Sequence, residues 1–212
     1  MKNLKRILAV LLALVVLVGT LVIPVAAGNS EDEEIVARMY IGHKERYANL
    51  SGHTWIYIEN LTDHELMVGA YPLKKGKGVS IGTFGYAIIN GKGLYYNVEA
   101  YRYQNVDIST YIHVSKELTQ EQLDKVSKKI RRSGIWDYTL NCAYSAIGIW
   151  NASFGKPLVY VMIPTLHQLQ ILMKPSHGNG FKMTVPKMSD VYKQIGRGDD
   201  AYIVPADPRV PD

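Results

Sequence analysis

SGHTWIYIEN, residues Ser51–Asn60, sets Trp55, Tyr57 and Glu59 in alternation with Ile56 and Ile58. A period of two is that of a strand whose two faces meet different surroundings. Ile35–Gly42 reads as an earlier strand, behind the acidic lead-in Ser30–Glu34 and before the polar break Lys44-Glu45-Arg46. Downstream, Leu61-Thr62-Asp63-His64 makes a turn, and Glu65–Tyr71 returns as the second arm of a hairpin. Folding that hairpin about Thr62 sets Tyr71 roughly opposite His53. After the basic loop Lys74–Gly78, Val79–Phe84 and Leu94–Tyr101 supply further strands, separated by the Asn90-Gly91 turn signal. The short connections make the pairing mostly antiparallel.

Helices follow the strands. Thr119 and Gln122 have the spacing of a capping box, with Leu118 and Leu123 as its hydrophobic staple. Leu123, Val126 and Ile130 share one face, and Gly134 stops the helix. Lys125, Lys128, Lys129, Arg131 and Arg132 form a solvated outer face, with the cations biased towards the C-terminal end. A second helix reads from about Leu140 to Ser153, and a third, short one holds Leu166, Leu169 and Leu172. Strands followed by helices give an α+β class, a small antiparallel sheet of four to six strands packed against helices. The expected organisation is a signal over 1–27, a lead-in with the first strand over 28–50, a main domain over 51–174, and an irregular extension with room for one strand over 175–212.

The chain has 212 residues, 47% hydrophobic and 20% charged, which suits one globular domain with a core. Fifteen Tyr against three Phe favours strands and polar-tipped aromatic surfaces. Lys2, Lys5 and Arg6 precede an apolar run from Ile7, and Val25-Ala26-Ala27 has small residues where a signal peptidase cuts. This is the pattern of a secretory signal cleaved after Ala27, with an uncleaved anchor as the alternative. The location expected is secreted or cell-envelope associated, with membrane contact only through that segment if it is retained. Cleavage removes three basic residues and no acidic one, which lowers the net charge from +5 to +2. The basic field that would argue for nucleic acid goes with it, so no nucleic-acid partner is expected. A single cysteine excludes a disulfide framework and a cysteine-cluster metal site. His64-Glu65 lacks the second histidine of a zinc helix motif, and no phosphate loop or dinucleotide fingerprint occurs, so no metal or cofactor is expected.

The chemistry rests on Cys142 and His53. Asn141 is a good N-cap residue and puts Cys142 at the first helical position. There, unsatisfied amides and the positive end of the helix dipole favour a thiolate, and the same amides suit an oxyanion. A thiol nucleophile needs a base in reach. His43, His64, His113, His167 and His177 read as surface histidines, whereas His53 opens an aromatic strand behind Gly52.

Gly52-His53-Thr54-Trp55-Ile56, and Asn141-Cys142 at the head of a helix ending in Trp150-Asn151, resemble the two motifs of the circularly permuted NlpC-type papain-like superfamily. The order, histidine before cysteine, is that of its permuted members, and the likeness covers roughly Gly52 to Leu172. The resemblance implies a small antiparallel sheet packed on a helix that bears the nucleophile. It implies cysteine hydrolase or acyl-transfer chemistry on amides or esters, with Cys142 as nucleophile and His53 as base. Ala143-Tyr144 departs from the family, where a small hydroxyl residue is expected after the cysteine. The third, orienting residue should accept the other N–H of His53. Tyr71 is one candidate; Glu99, a carboxylate inside the strand-like run Tyr96–Tyr101, is the other.

Three functions stay open. The first is an exported thiol hydrolase, with peptidoglycan stem peptides or other envelope amides and esters as substrates by analogy. The second is a non-catalytic envelope-binding module on the same fold, using the Tyr-rich strands and the Lys74–Lys77 loop. The third is an acyltransferase.

Overall fold

The computed structural model describes residues 33–46, 51–107, 111–137, 139–155, 157–161 and 163–209. The signal reading at 1–27 lies outside these residues. Among the described residues no helix is long and apolar enough to cross a membrane.

The elements in chain order are β1 (Ile35–Arg46), β2 (Ser51–Asn60), β3 (Leu66–Val68), β4 (Tyr71–Leu73), β5 (Gly78–Phe84), β6 (Gly93–Tyr96), α1 (Val98–Arg102), β7 (Tyr111–Thr119), α2 (Gln120–Arg132), α3 (Cys142–Asn151), α4 (Pro164–Leu172), β8 (Gly178–Asn179), β9 (Tyr192–Ile195) and β10 (Tyr202–Pro205). The class is α+β. Eight strands form one antiparallel sheet in the order β10-β9-β6-β5-β2-β1-β7-β8, and β3 and β4 pair separately. The sheet is therefore larger than the four to six strands expected. Strand β2 lies near its centre, between β1 and β5.

The alternation of β2 is explained by what covers each face. Ile56 and Ile58 join Met39, Ile41, Val79, Ile81 and Val114 in a core shared with Leu123, Val126 and Ile130 of α2 and Ile147 and Trp150 of α3. Trp55 and Tyr57 point the other way, into an aromatic cluster with Tyr111, Phe181 and Met183. Helix α2 is polar apart from its inner face, so burial of that face stabilises it more than propensity does. Leu123, Val126 and Ile130 are wholly buried there, each worth about 1.5–3 kcal/mol relative to exposure. At the helix start, Thr119 N–H donates to Gln122 Oε1 at 3.1 Å.

Four expectations are corrected. Glu65–Tyr71 does not return along β2. Asn60 Oδ1 accepts from the backbone and the hydroxyl of Thr62, and Asn60 Nδ2 donates to the carbonyls of His64 and Leu73. That knot turns the chain into a local excursion, β3–β4, and leaves the edge of β2 free for β5. The strand expected over Leu94–Tyr101 ends at Tyr96. Asn97 takes a left-handed conformation with φ 68°, which Asn tolerates better than most residues, and α1 begins. Residues 175–212 are no irregular extension, because they supply β8, β9 and β10. Nor is residue 51 a boundary: β1 pairs with both β2 and β7.

Candidate active site

Helix α3 starts where Asn141 caps it. Asn141 Oδ1 accepts from the backbone N–H of Ala143 at 3.1 Å and of Tyr144 at 3.3 Å. Cys142 is thereby the first helical residue, and it is buried. The His53 side chain and the backbone N–H groups of Thr54 and Ala143 lie close enough to its sulfur to favour the thiolate. Burial pushes the thiol up, but the neighbouring imidazole and these donors outweigh it and leave Cys142 below the ordinary thiol value.

His53 sits at the start of β2. Its Nε2 lies 2.8 Å from Glu99 Oε1, which leaves Nδ1 as the ring nitrogen that serves the sulfur. Glu99 is wholly buried in the short helix α1. Its second oxygen accepts from Ser80 Oγ at 2.9 Å, and Ser80 Oγ in turn accepts from Ala100 N–H at 3.2 Å. A buried carboxyl group with both oxygens engaged fixes the imidazole in one orientation. Phe84 and Trp55 flank the ring at centroid distances of 4.6 and 5.9 Å. Burial alone would depress His53, but the thiolate of Cys142 and the carboxylate of Glu99 reverse that and raise it well above the usual imidazole value.

Two glycines make room for this arrangement. A Cβ at Gly82 would fall 1.7 Å from Glu99 Oε1, and one at Gly52 would fall 2.5 Å from His43 Cε1.

The structure thus brings together Cys142, His53, Glu99 and the cap Asn141, and leaves Tyr71 out. The Tyr71 hydroxyl accepts from Asn97 Nδ2 at 3.1 Å, and its ring stacks on Tyr96. The reason is register: the β1 partner of His53 is Lys44, and β2 meets β5 on its other side, never β4.

Two of the histidines read as surface residues are buried instead. His43 and His167 are 1% and 0% exposed, and each directs Nδ1 at Thr54 Oγ1, at 3.0 and 3.2 Å. The Thr54 hydroxyl has one proton and two lone pairs, so at most one of the two rings accepts from it. This cluster seats Thr54, whose N–H reaches the nucleophile. Burial depresses both imidazoles, His43 to about 4 and His167 to about 3. A signal for them exists in the sequence. His43 continues the parity of Met39 and Ile41, and His167 lies one helical turn before Ile171. Ser80 and Gly82 had a weaker one, as small residues interrupting an apolar strand.

Three surface cavities are present among the described residues, and neither Cys142 nor His53 lines any of them. Among the described residues no group of three or more His, Cys, Asp or Glu could hold a metal ion. No family model matches the chain, and neither does any curated protein or solved structure.

Proposed function

We propose that the chain is a thiol hydrolase of the permuted papain-like type, acting on amide or ester bonds. The observation that carries this reading is the relay in which His53 joins the buried Glu99 to the buried Cys142. The thiolate attacks the carbonyl carbon, and the backbone N–H of Cys142 at the start of α3 stabilises the oxyanion. His53 delivers its proton from Nδ1 to the leaving amine or alkoxide as the acyl-sulfur bond persists. It then takes a proton from the water that releases the acid. With the N-terminal signal reading, the substrates are peptides or other amides of the cell envelope, peptidoglycan among them. Acyl transfer differs only in the final acceptor, and product analysis separates the two.

The test is the pH dependence of iodoacetamide alkylation of Cys142 in the folded protein, with and without His53→Ala. The expected result is an apparent pKa clearly below the free-thiol value of about 8.5, lost in the variant. An ordinary profile unaffected by His53→Ala rejects the reading.

One observation favours a binding module instead. A groove of about 390 Å³, lined by Tyr71, Tyr192, Lys74, Lys77 and Lys187, stands apart from the thiol. On that reading Cys142→Ala leaves function intact.

A further inference from the structure

A smaller cavity of about 110 Å³ opens between the C-terminal end of α2 and the first turn of α3. Three cationic side chains, Lys129, Arg132 and Arg197, line it, and no acidic residue does. Leu140, Tyr144 and Ser145 form the opposite wall. Those residues bracket Cys142, and Ser145 is about 4.5 Å further along the helix axis than the nucleophile.

A helix C-terminus attracts cations to its own carbonyls. At α2 that role is already filled: Gln194 Nε2 donates to the carbonyls of Arg131 and Ser133, and Arg197 donates twice to the carbonyl of Arg132. Among the described residues, the side chains of Lys129 and Arg132 make no ion pair with a carboxylate. Gly148 lets Lys129 lie across α3, since a Cβ there would meet Lys129 Cε at 3.1 Å. The Ser145 hydroxyl is buried without a hydrogen-bond partner. Two uncompensated cations lining one small cavity, with an unsatisfied hydroxyl in its wall, form a receptor for a compact anion.

We infer that this cavity is an anion subsite that seats a carboxylate carried by the substrate, beside the first turn of the helix that bears the attacking sulfur. Lys129 and Arg132 supply the charge, and Ser145 Oγ donates to one carboxylate oxygen. The inference rests on the thiol-hydrolase reading for the identity of its ligand as a substrate group. It narrows the substrate class to amides or esters with a free carboxylate close to the scissile bond.

The experiment compares alkylation of Cys142 in the full chain by iodoacetylglycine and by its neutral carboxamide. Their rate ratio isolates the effect of the carboxylate. The ratio is expected to fall about tenfold, the worth of one charge-assisted hydrogen bond, in Lys129→Met/Arg132→Gln. It should hold in Lys128→Met, which removes a charge from the same helix but not from this cavity. An unchanged ratio in the double variant, or an equal fall in Lys128→Met, overturns the subsite. Glutarate added to the unaltered protein gives a second reading independent of any variant's folding. It should slow the charged reagent and spare the neutral one, and equal slowing or none overturns the subsite. The thiol-hydrolase reading fails separately, through an ordinary rate and pH profile with the neutral reagent alone.

Discussion

Glu99 has no solvent exposure, yet its carboxylate is held by two donors, one from His53 and one from Ser80. Glu99→Gln keeps the shape and removes the charge. Without that charge the imidazolium loses support, and with it the thiolate. The apparent pKa of Cys142 alkylation should rise by about one unit or more, with a matching loss of rate near pH 6. An unchanged alkylation profile would assign Glu99 a purely structural part. The Thr54 cluster gives a different pH signature. Unfolding frees His43 and His167 to titrate near the usual 6.5, whereas the fold holds them at about 4 and about 3. The unfolded chain therefore binds more protons below pH 6.5, and acid favours it. Their contribution is intact above pH 6.5 and is lost progressively down to about pH 4 for His43 and about pH 3 for His167. Urea midpoints should drop over that window, and drop less in His167→Gln; equal slopes would remove the cluster from the account. Cys142 and His53 were legible in the sequence because their signals are local, a helix cap and a strand start. His43 and His167 carry a signal only in their spacing, because their burial depends on β1, β2 and α4 meeting.

Strand β5 shows what an element contributes beyond its length. All seven of its residues are buried, and Gly82 stands where a larger residue would collide with Glu99. Gly82→Ala should displace the carboxylate and reproduce the Glu99→Gln alkylation profile or exceed it. A parent-like profile in Gly82→Ala would mean that Glu99 moves without consequence. Helix α2 was readable because its apolar spacing and its start signal agree. Strand β7 has no period-two signal, because Tyr111, Val114 and Leu118, its buried residues, do not alternate strictly. Helix α4 was placed by its leucines, but Leu166, Leu169 and Leu172 face outwards while His167 and Ile171 face the core. The Tyr71 expectation failed at this scale too, since it assumed that the next strand in sequence is the next in space.

At the scale of the molecule, the C-terminal strands complete the sheet that the earlier residues begin. Gln194 of β9 ties three parts together: its Oε1 accepts from the Tyr96 hydroxyl at 2.9 Å, and its Nε2 reaches two carbonyls at the end of α2. It is only 6% exposed, so Gln194→Ala leaves buried partners unsatisfied. The expected loss is roughly 1–3 kcal/mol in chemical denaturation; a change below about 0.5 kcal/mol, the range of ordinary surface substitutions, would mean that water replaces the amide. The tail's composition concealed this role, because Gly, Pro and polar residues there surround short strands whose pairing partners lie far back in the chain.

That distance has a kinetic side. Tyr95 and Tyr96 pair with Lys193 and Tyr192, about a hundred residues later, and contacts so remote form slowly. Until they form, Gly93-Leu94-Tyr95-Tyr96 is an apolar strand with one side unpaired, the condition in which sheets of separate molecules join edge to edge. Strand β9 is thus a cover as well as a strand. Refolding is a race between its arrival and that of a second chain, and protein concentration sets the odds.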